Sequence, residues 1–332
     1  FTRKTMNQAN ALVSVYQDGS VIVSTGATEM GQGVNTRIRQ IVADALGVTY
    51  DHVIVSPTST DKNDNTSPTA ASSGTDLNGA AALDACERLR SRLANVAADM
   101  LKSDPAQMRF DNNRAFDSQH PSKFLDFRAV VCQAHEQRIS LGERGFYATP
   151  NIDYNRETGK GSPFFYFTNG VACSEVLIDR FTGQLALTRV DLLMDLGKSV
   201  NPGIDRGQII GGFVQGMGWV TSEQLVYAEN GQLLSHSPTT YKIPNVSDVP
   251  AHFAVNFLDN PHNEVSLYRS KAVGEPPLLL GISVWLAVKS ALLSEASQAP
   301  RTTLSIPATG EEILLTMRHG RTHAPKPMVK DR

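Results

Sequence analysis

The chain has 332 residues, 41% hydrophobic and 19% charged, enough for one large or two medium globular domains with a packed core. A formal net charge of −2 with interspersed signs leaves no basic stripe for nucleic acid and no polybasic patch for an anionic membrane. The three cysteines, Cys86, Cys132 and Cys173, lie far apart without CxxC spacing, which argues against zinc, iron–sulfur and disulfide frameworks. They read as small buried residues in a reducing compartment, with the cytoplasm as the default location. The most apolar segment, 277–293, carries Lys289 and falls short of the roughly 20 residues of a membrane span, so it is expected to be a buried helix. Phe1 to Thr5 contain no Met and no signal-peptide pattern, so the chain is expected to begin inside a longer polypeptide or to be a processed piece.

In chain order, Ala11 to Tyr16 alternates as a strand, Asp18-Gly19 supplies a hairpin turn, and Ser20 to Ser24 is a second strand. After a glycine-rich stretch, Val34, Ile38, Ile41, Val42, Ala45 and Leu46 recur at helical spacing, and Gly47 stands where a C-cap would. A strand over His52 to Ser56 follows, then a long helix from Thr75 to Leu101. Segment 102–163 is rich in Asn, Asp, Pro and Arg and reads as connector and surface around one short helix, Phe127 to Gln137. Val171 to Asp179 and Leu185 to Met194 are strands joined at Thr182-Gly183. Asp205 is expected to cap a helix running to Trp219, Gln224 to Tyr227 to return as a strand, and an apolar helix to begin at Pro276-Pro277. The order repeats, which predicts an internally duplicated α+β fold with a first half over 1–150 and a second over 151–332, the latter including the C-terminal tail.

Four loop-to-helix junctions fall at equivalent places: Met30-Gly31-Gln32-Gly33, Thr69 to Gly74, Arg206-Gly207-Gln208 and Gly274-Glu275-Pro276. Each is expected to offer unpaired backbone N–H groups, and converging helix N-termini would suit a polar, phosphorylated cofactor. Taken singly, each motif has an ordinary reading beside the functional one. Gly31-Gln32-Gly33 lacks the third glycine of a dinucleotide fingerprint and the Lys-Ser/Thr of a phosphate loop, so it also fits a plain turn. Ser67 to Gly74 is a run of small residues that fits either close approach to a ligand or a flexible cap. Glu275, between a glycine and two prolines, is either a desolvated base or a glutamate answering a helix dipole. His52, His135, His236, His252 and His262 show no metal-ligand pairing.

Together the motifs resemble xanthine dehydrogenases and related molybdenum hydroxylases. The resemblance is carried by Gly26-Ala27-Thr28-Glu29-Met30-Gly31-Gln32-Gly33, Asn65-Thr66-Ser67-Pro68-Thr69-Ala70-Ala71-Ser72, Gly170 to Val176, Asn201-Pro202-Gly203-Ile204-Asp205 with Gly207-Gln208, and Lys271 to Leu278. It runs from Phe1 to about Leu293. It implies part of a molybdenum-cofactor-binding domain in which Gln32 with Gly31 and Gly33, Thr69, Ala70, Ala71, Ser72 and Gln208 hold a molybdenum pyranopterin, as mononucleotide or cytosine dinucleotide. Gly74 stands where some relatives have serine. The metal is implied to be held by the pterin dithiolene, with no side-chain ligand. Glu275 matches the catalytic base, and Phe1 and Thr2 match a pair that stacks on and hydrogen-bonds a purine.

The implied reaction hydroxylates a purine carbon with water-derived oxygen. An aldehyde or other N-heterocycle hydroxylase is the rival within the family, and a scaffold module without cofactor the rival outside it. Three scattered cysteines cannot supply the eight thiolates of two [2Fe–2S] clusters, so the clusters and FAD are expected on partner chains or missing segments. The upstream part of the same molybdopterin subunit is expected to complete the substrate pocket.

Overall fold

The computed structural model describes residues 1–260, 262, 263, 265–295 and 303–319. The chain forms two compact units. The first comprises Phe1–Phe167, Lys198–Asn201 and Pro261–Ala272, and the second Thr168–Gly197, Pro202–Asn260 and Val273–Arg332.

In the first unit, β1 (Gln8–Val15) pairs antiparallel with β2 (Val21–Thr25). Their turn is held by the Asp18 carboxylate, which accepts the Ser20 N–H at 2.9 Å, and by Gly19 at φ +89°. Helix α1 (Val34–Leu46) ends at Gly47, whose φ of +66° and closeness to the Phe110 backbone leave no room for a side chain. Strand β3 (Val53–Val55) returns parallel to β2. A π-helical turn, Thr75–Gly79, then opens α2 (Ala80–Leu101). Alternate residues Ala9, Ala11, Val13 and Val15 of β1 and Val21 and Val23 of β2 are buried with Ile38, Val42 and Leu46 of α1 and Leu89 and Leu93 of α2.

Segment 102–163 is more than a connector. It contains a small sheet of β4 (Met108–Asp111), β5 (Arg114–Asp117) and β6 (Phe124–Asp126), followed by α3 (Phe127–Glu136). Strand β7 (Gly142–Ala148) joins the main sheet, giving the order β3-β2-β1-β7. Met108, Ala115, Phe127, Val130 and Val131 enter the core. The β7 strand gives little apolar alternation because its one buried residue is Gly145, where a Cβ would meet the Ala81 carbonyl at 2.0 Å. A hairpin of β8 (Asp153–Asn155) and β9 (Lys160–Ser162) ends the segment.

The second unit repeats the plan. Strand β10 (Gly170–Ile178) pairs antiparallel with β11 (Leu185–Met194), helix α4 (Pro202–Thr221) crosses over, and β12 (His252–Phe257) returns parallel to β11. Two expectations change here. Helix α4 starts at Pro202, whose fixed φ suits a first turn, so Asp205 lies buried within that turn instead of capping it. Gln224 to Tyr227 is not the returning strand: only Tyr227 makes a bridge, to Leu233, and the Val226 N–H is taken by the Ser235 hydroxyl at 3.0 Å.

After β12, the turn Pro276–Gly281 leads into α5 (Ile282–Glu295), and α6 (Gly310–His319) is the last described helix. The run Pro276–Ser294 is long and apolar enough to cross a membrane by length and composition, and only 28% of it is buried within the chain. The buried helix expected there is therefore only partly covered, with Leu279, Leu286 and Leu293 exposed at seven-residue spacing. Of the cysteines, only Cys86 is buried. Cys132 is half-buried, with its thiol donating to the Gln17 carbonyl, and Cys173 is exposed on β10.

Candidate functional site

In the first unit, β1 starts and β2 ends at the same end of the sheet, and three of the sequence motifs leave from there. Phe1 and Thr2 precede β1, and Asn7 pins them: its Oδ1 accepts from the Phe1 nitrogen at 3.1 Å and its Nδ2 donates to the Phe1 carbonyl at 2.9 Å. Phe1 is half-buried and Thr2 exposed. The Ser67 N–H and hydroxyl both donate to the Gln8 carbonyl, at 3.0 and 2.9 Å, so the loop carrying Thr69 to Ser72 is tied to the start of β1. The Thr28 N–H donates to Thr69 Oγ1 at 2.9 Å, and Gln32 Nε2 donates to the Thr28 carbonyl at 2.8 Å. Gln32 and the Thr69 loop are thus joined through the backbone of one residue, Thr28. Gln32 Oε1 accepts the Met30 N–H at 2.6 Å, which orients the carboxamide while leaving it one N–H to give.

The first junction differs from expectation. Glu29 accepts the N–H groups of Gly31 at 2.8 Å, Gly33 at 3.0 Å and Asn35 at 3.0 Å, so the N-terminus of α1 is closed by the chain's own carboxylate. Burial pushes the Glu29 pKa up, but these backbone donors outweigh it and hold the carboxyl below its usual range. Glycine is needed in this loop, with Gly31 at φ +99° and Gly33 at +78°. The third junction is not a helix terminus, because Arg206-Gly207-Gln208 lies a turn inside α4. At the fourth, Pro276 and Pro277 have no N–H to offer, and the Leu278 N–H is bound by the Glu275 carbonyl at 3.0 Å.

The second junction does present backbone. Ala71 and Ser72 are consecutive residues in the left-handed region, at φ +54° and +55°, a conformation that costs an ordinary residue roughly 1 kcal/mol or more. The Ala71 N–H has no partner among the described residues. Beside this loop Asn78 is buried; its Nδ2 donates to the Gly74 carbonyl at 3.0 Å, and its Oδ1 has no partner among the described residues.

In the second unit, α4 carries Gln208, half-buried, with a carboxamide unbonded among the described residues. Gly212, one turn further on the same face, packs against the segment holding Glu275: a Cβ there would lie 3.2 Å from the Gly274 carbonyl and from Pro277. At Gly216 a Cβ would lie 1.9 Å from the Leu278 carbonyl. These glycines let the backbone of 274–281 approach α4 directly, which brings Gln208 and Glu275 to one region of this unit. Glu275 is exposed in this chain, so the desolvation expected from its neighbours in sequence is not supplied by the chain alone. Gly207 and Gly211 face open space.

The residues fit a large polar cofactor. An orphaned buried carbonyl at Asn78, an unpartnered N–H on a strained loop, and two carboxamides with spare capacity are what such a ligand would satisfy. Glu29 and the Asn78 contact escape sequence reasoning. A carboxylate within a turn of a helix start was the available signal for Glu29.

Residues 1–250 match the family model described as molybdopterin cofactor-binding domain. The chain is 44% identical over 319 residues to a xanthine dehydrogenase of Dictyostelium discoideum, covering 94% of this chain and 22% of that protein. It is 43% identical over 316 residues to a xanthine dehydrogenase/oxidase of Gallus gallus, with the same coverage. The chain therefore spans about a fifth of the length of the curated relatives it matches. Among solved structures, quinoline 2-oxidoreductase of Pseudomonas putida 86 superposes with a TM-score of 0.82 at 25% identity, over 94% of this chain and 38% of that one. The aldehyde oxidoreductase of Desulfovibrio desulfuricans superposes at 0.72 and 21% identity, over 93% of this chain and 30% of that one, a likeness of fold.

Proposed function

The chain belongs to the molybdopterin cofactor-binding domain family, and from that premise we propose that it is the part of a xanthine-dehydrogenase-like hydroxylase that holds a molybdenum pyranopterin and carries the base for purine hydroxylation. The observation that carries this reading is the packing of Gly212 and Gly216 against 274–281, which holds Glu275 and Gln208 in one region on rigid backbone. Gln32, Thr69, Ala70, Ala71 and Ser72, with Gly31 and Gly33 shaping the loop, bind the pterin and its phosphate in this reading, and Gln208 donates from α4. The cofactor, when bound, supplies the oxygen that enters the substrate and takes up the electron pair that leaves it. Glu275 accepts the proton released as the new carbon–oxygen bond forms. Phe1 offers its ring and Thr2 its backbone N–H to a purine.

The electrons leave through [2Fe–2S] clusters and FAD outside this chain, in a cytoplasmic multi-subunit or multidomain enzyme. Identity to xanthine dehydrogenases favours a purine. The second reading is an aldehyde or other N-heterocycle hydroxylase of the same family, and the match to quinoline 2-oxidoreductase favours the N-heterocycle within it. The test is anaerobic reduction of the full-length protein by hypoxanthine, xanthine and a simple aldehyde, with molybdenum and pterin analysed on the same sample. Purine-dependent reduction at stoichiometric molybdenum is expected. Reduction by aldehyde alone selects the second reading, and a protein without molybdenum or pterin is a scaffold.

A further inference from the structure

Asp76 lies in the π-helical turn Thr75–Gly79 that follows the Ala71-Ser72 loop. Such turns interrupt the regular ladder and are frequent at functional sites. Tyr166 donates its hydroxyl to Asp76 Oδ2, and the same phenolic oxygen accepts the Ala272 backbone N–H at 2.8 Å. Burial pushes the Asp76 carboxyl up to about 6, against the pull of the Tyr166 hydroxyl and the Arg37 guanidinium on α1. Tyr147 on β7 faces the same carboxylate, and burial and that charge raise its own pKa. Burial and Asp76 push the Tyr166 phenol well above its usual range, so the phenol keeps its proton and the direction of both bonds is fixed. A protonated phenol donates to the carboxylate and accepts from the peptide through one oxygen.

What this relay holds is the peptide three residues before Glu275. Three residues reach at most about 10 Å, so fixing Ala272 confines where Glu275 can be delivered. Val273 is buried at 4% exposure, and Gly274, the residue in this lead with most backbone freedom, is hemmed by α4 at Gly212. A buried carboxylate is costly to keep, and its use on this peptide, directly after a cofactor-loop motif, has a purpose if the peptide must not move. We propose that Asp76 and Tyr166 are positioning residues that anchor Ala272 and so set the reach of Glu275; the functional half of this rests on Glu275 being the base.

Tyr166→Phe removes both bonds and keeps the ring. In the complete, molybdenum-loaded enzyme, the Ala272 amide is expected to exchange about tenfold faster and kcat to fall about tenfold with KM nearly unchanged, as for one lost hydrogen bond. Molybdenum content stays native. Asp76→Asn keeps an acceptor for Tyr166 and should retain Ala272 protection, whereas Asp76→Leu should lose it. Native exchange at Ala272, or native kcat, in Tyr166→Phe overturns the proposal. Should Tyr166→Phe not fold, the native enzyme decides: an Ala272 amide exchanging as fast as an unstructured peptide overturns it, and a protected one supports it. Near-native turnover of Glu275→Gln would remove the functional half alone, leaving the exchange result to judge the anchor.

Discussion

Helices α1 and α4 occupy the same step of two ββαβ units, yet they are held by different means. Helix α1 buries an apolar stripe against its sheet and has its N-terminus closed by Glu29, so its loop is fixed by hydrogen bonds to side chains. Helix α4 uses Gly212 and Gly216 to admit the backbone of 274–281, and it is fixed by steric fit. The same topology thus yields a hydrogen-bonded loop cradle in one unit and a close-packed backbone platform in the other. The difference matters for the chemistry proposed. A loop cradle can adapt to a ligand, whereas a platform delivers a base with little freedom.

The comparison can be broken first at Gly216. Gly216→Val should destabilise the second unit by about 3 kcal/mol or prevent folding, since the clash is with backbone that cannot rotate away. Thermal melting of the variant checks this, and an unchanged melting temperature would show that the platform is not tightly packed. Asp76→Asn sharpens the first unit's side. Its carboxyl, raised to about 6 by burial, binds a proton more tightly folded than unfolded. The stability it contributes is therefore full below the unfolded value near 3.8 and falls as pH rises through about 6. Denaturant melts across that window should lose part of this slope in Asp76→Asn, and an identical slope would contradict it. A smaller effect is expected at Glu29. Glu29→Ala uncaps α1 at a cost of about 1 kcal/mol, read as several-fold faster exchange of the Gly31, Gly33 and Asn35 amides.

Much of this was legible in sequence because it rests on periodicity and turn chemistry. Val34 to Leu46 with Gly47, and the Asp18-Gly19 hairpin, carry their structure locally. The returning strand of the second unit was misread because Gln224 to Tyr227 has strand composition, while β12 lies after a long excursion and owes its place to pairing with β11. Strand β7 was hidden by Gly145 at its single buried position. The site motifs were legible as wording, but their local roles were not. Glu29 accepting three N–H groups and Tyr166 joining Asp76 to Ala272 depend on contacts that no local spacing encodes.

The most direct test of the account is turnover of Glu275→Gln in the full-length enzyme, with molybdenum and pterin content measured alongside. The account predicts native cofactor content with turnover lowered by at least about 10²-fold, as expected for loss of a general base. Near-native turnover at native cofactor content would contradict it and remove Glu275 from the chemistry.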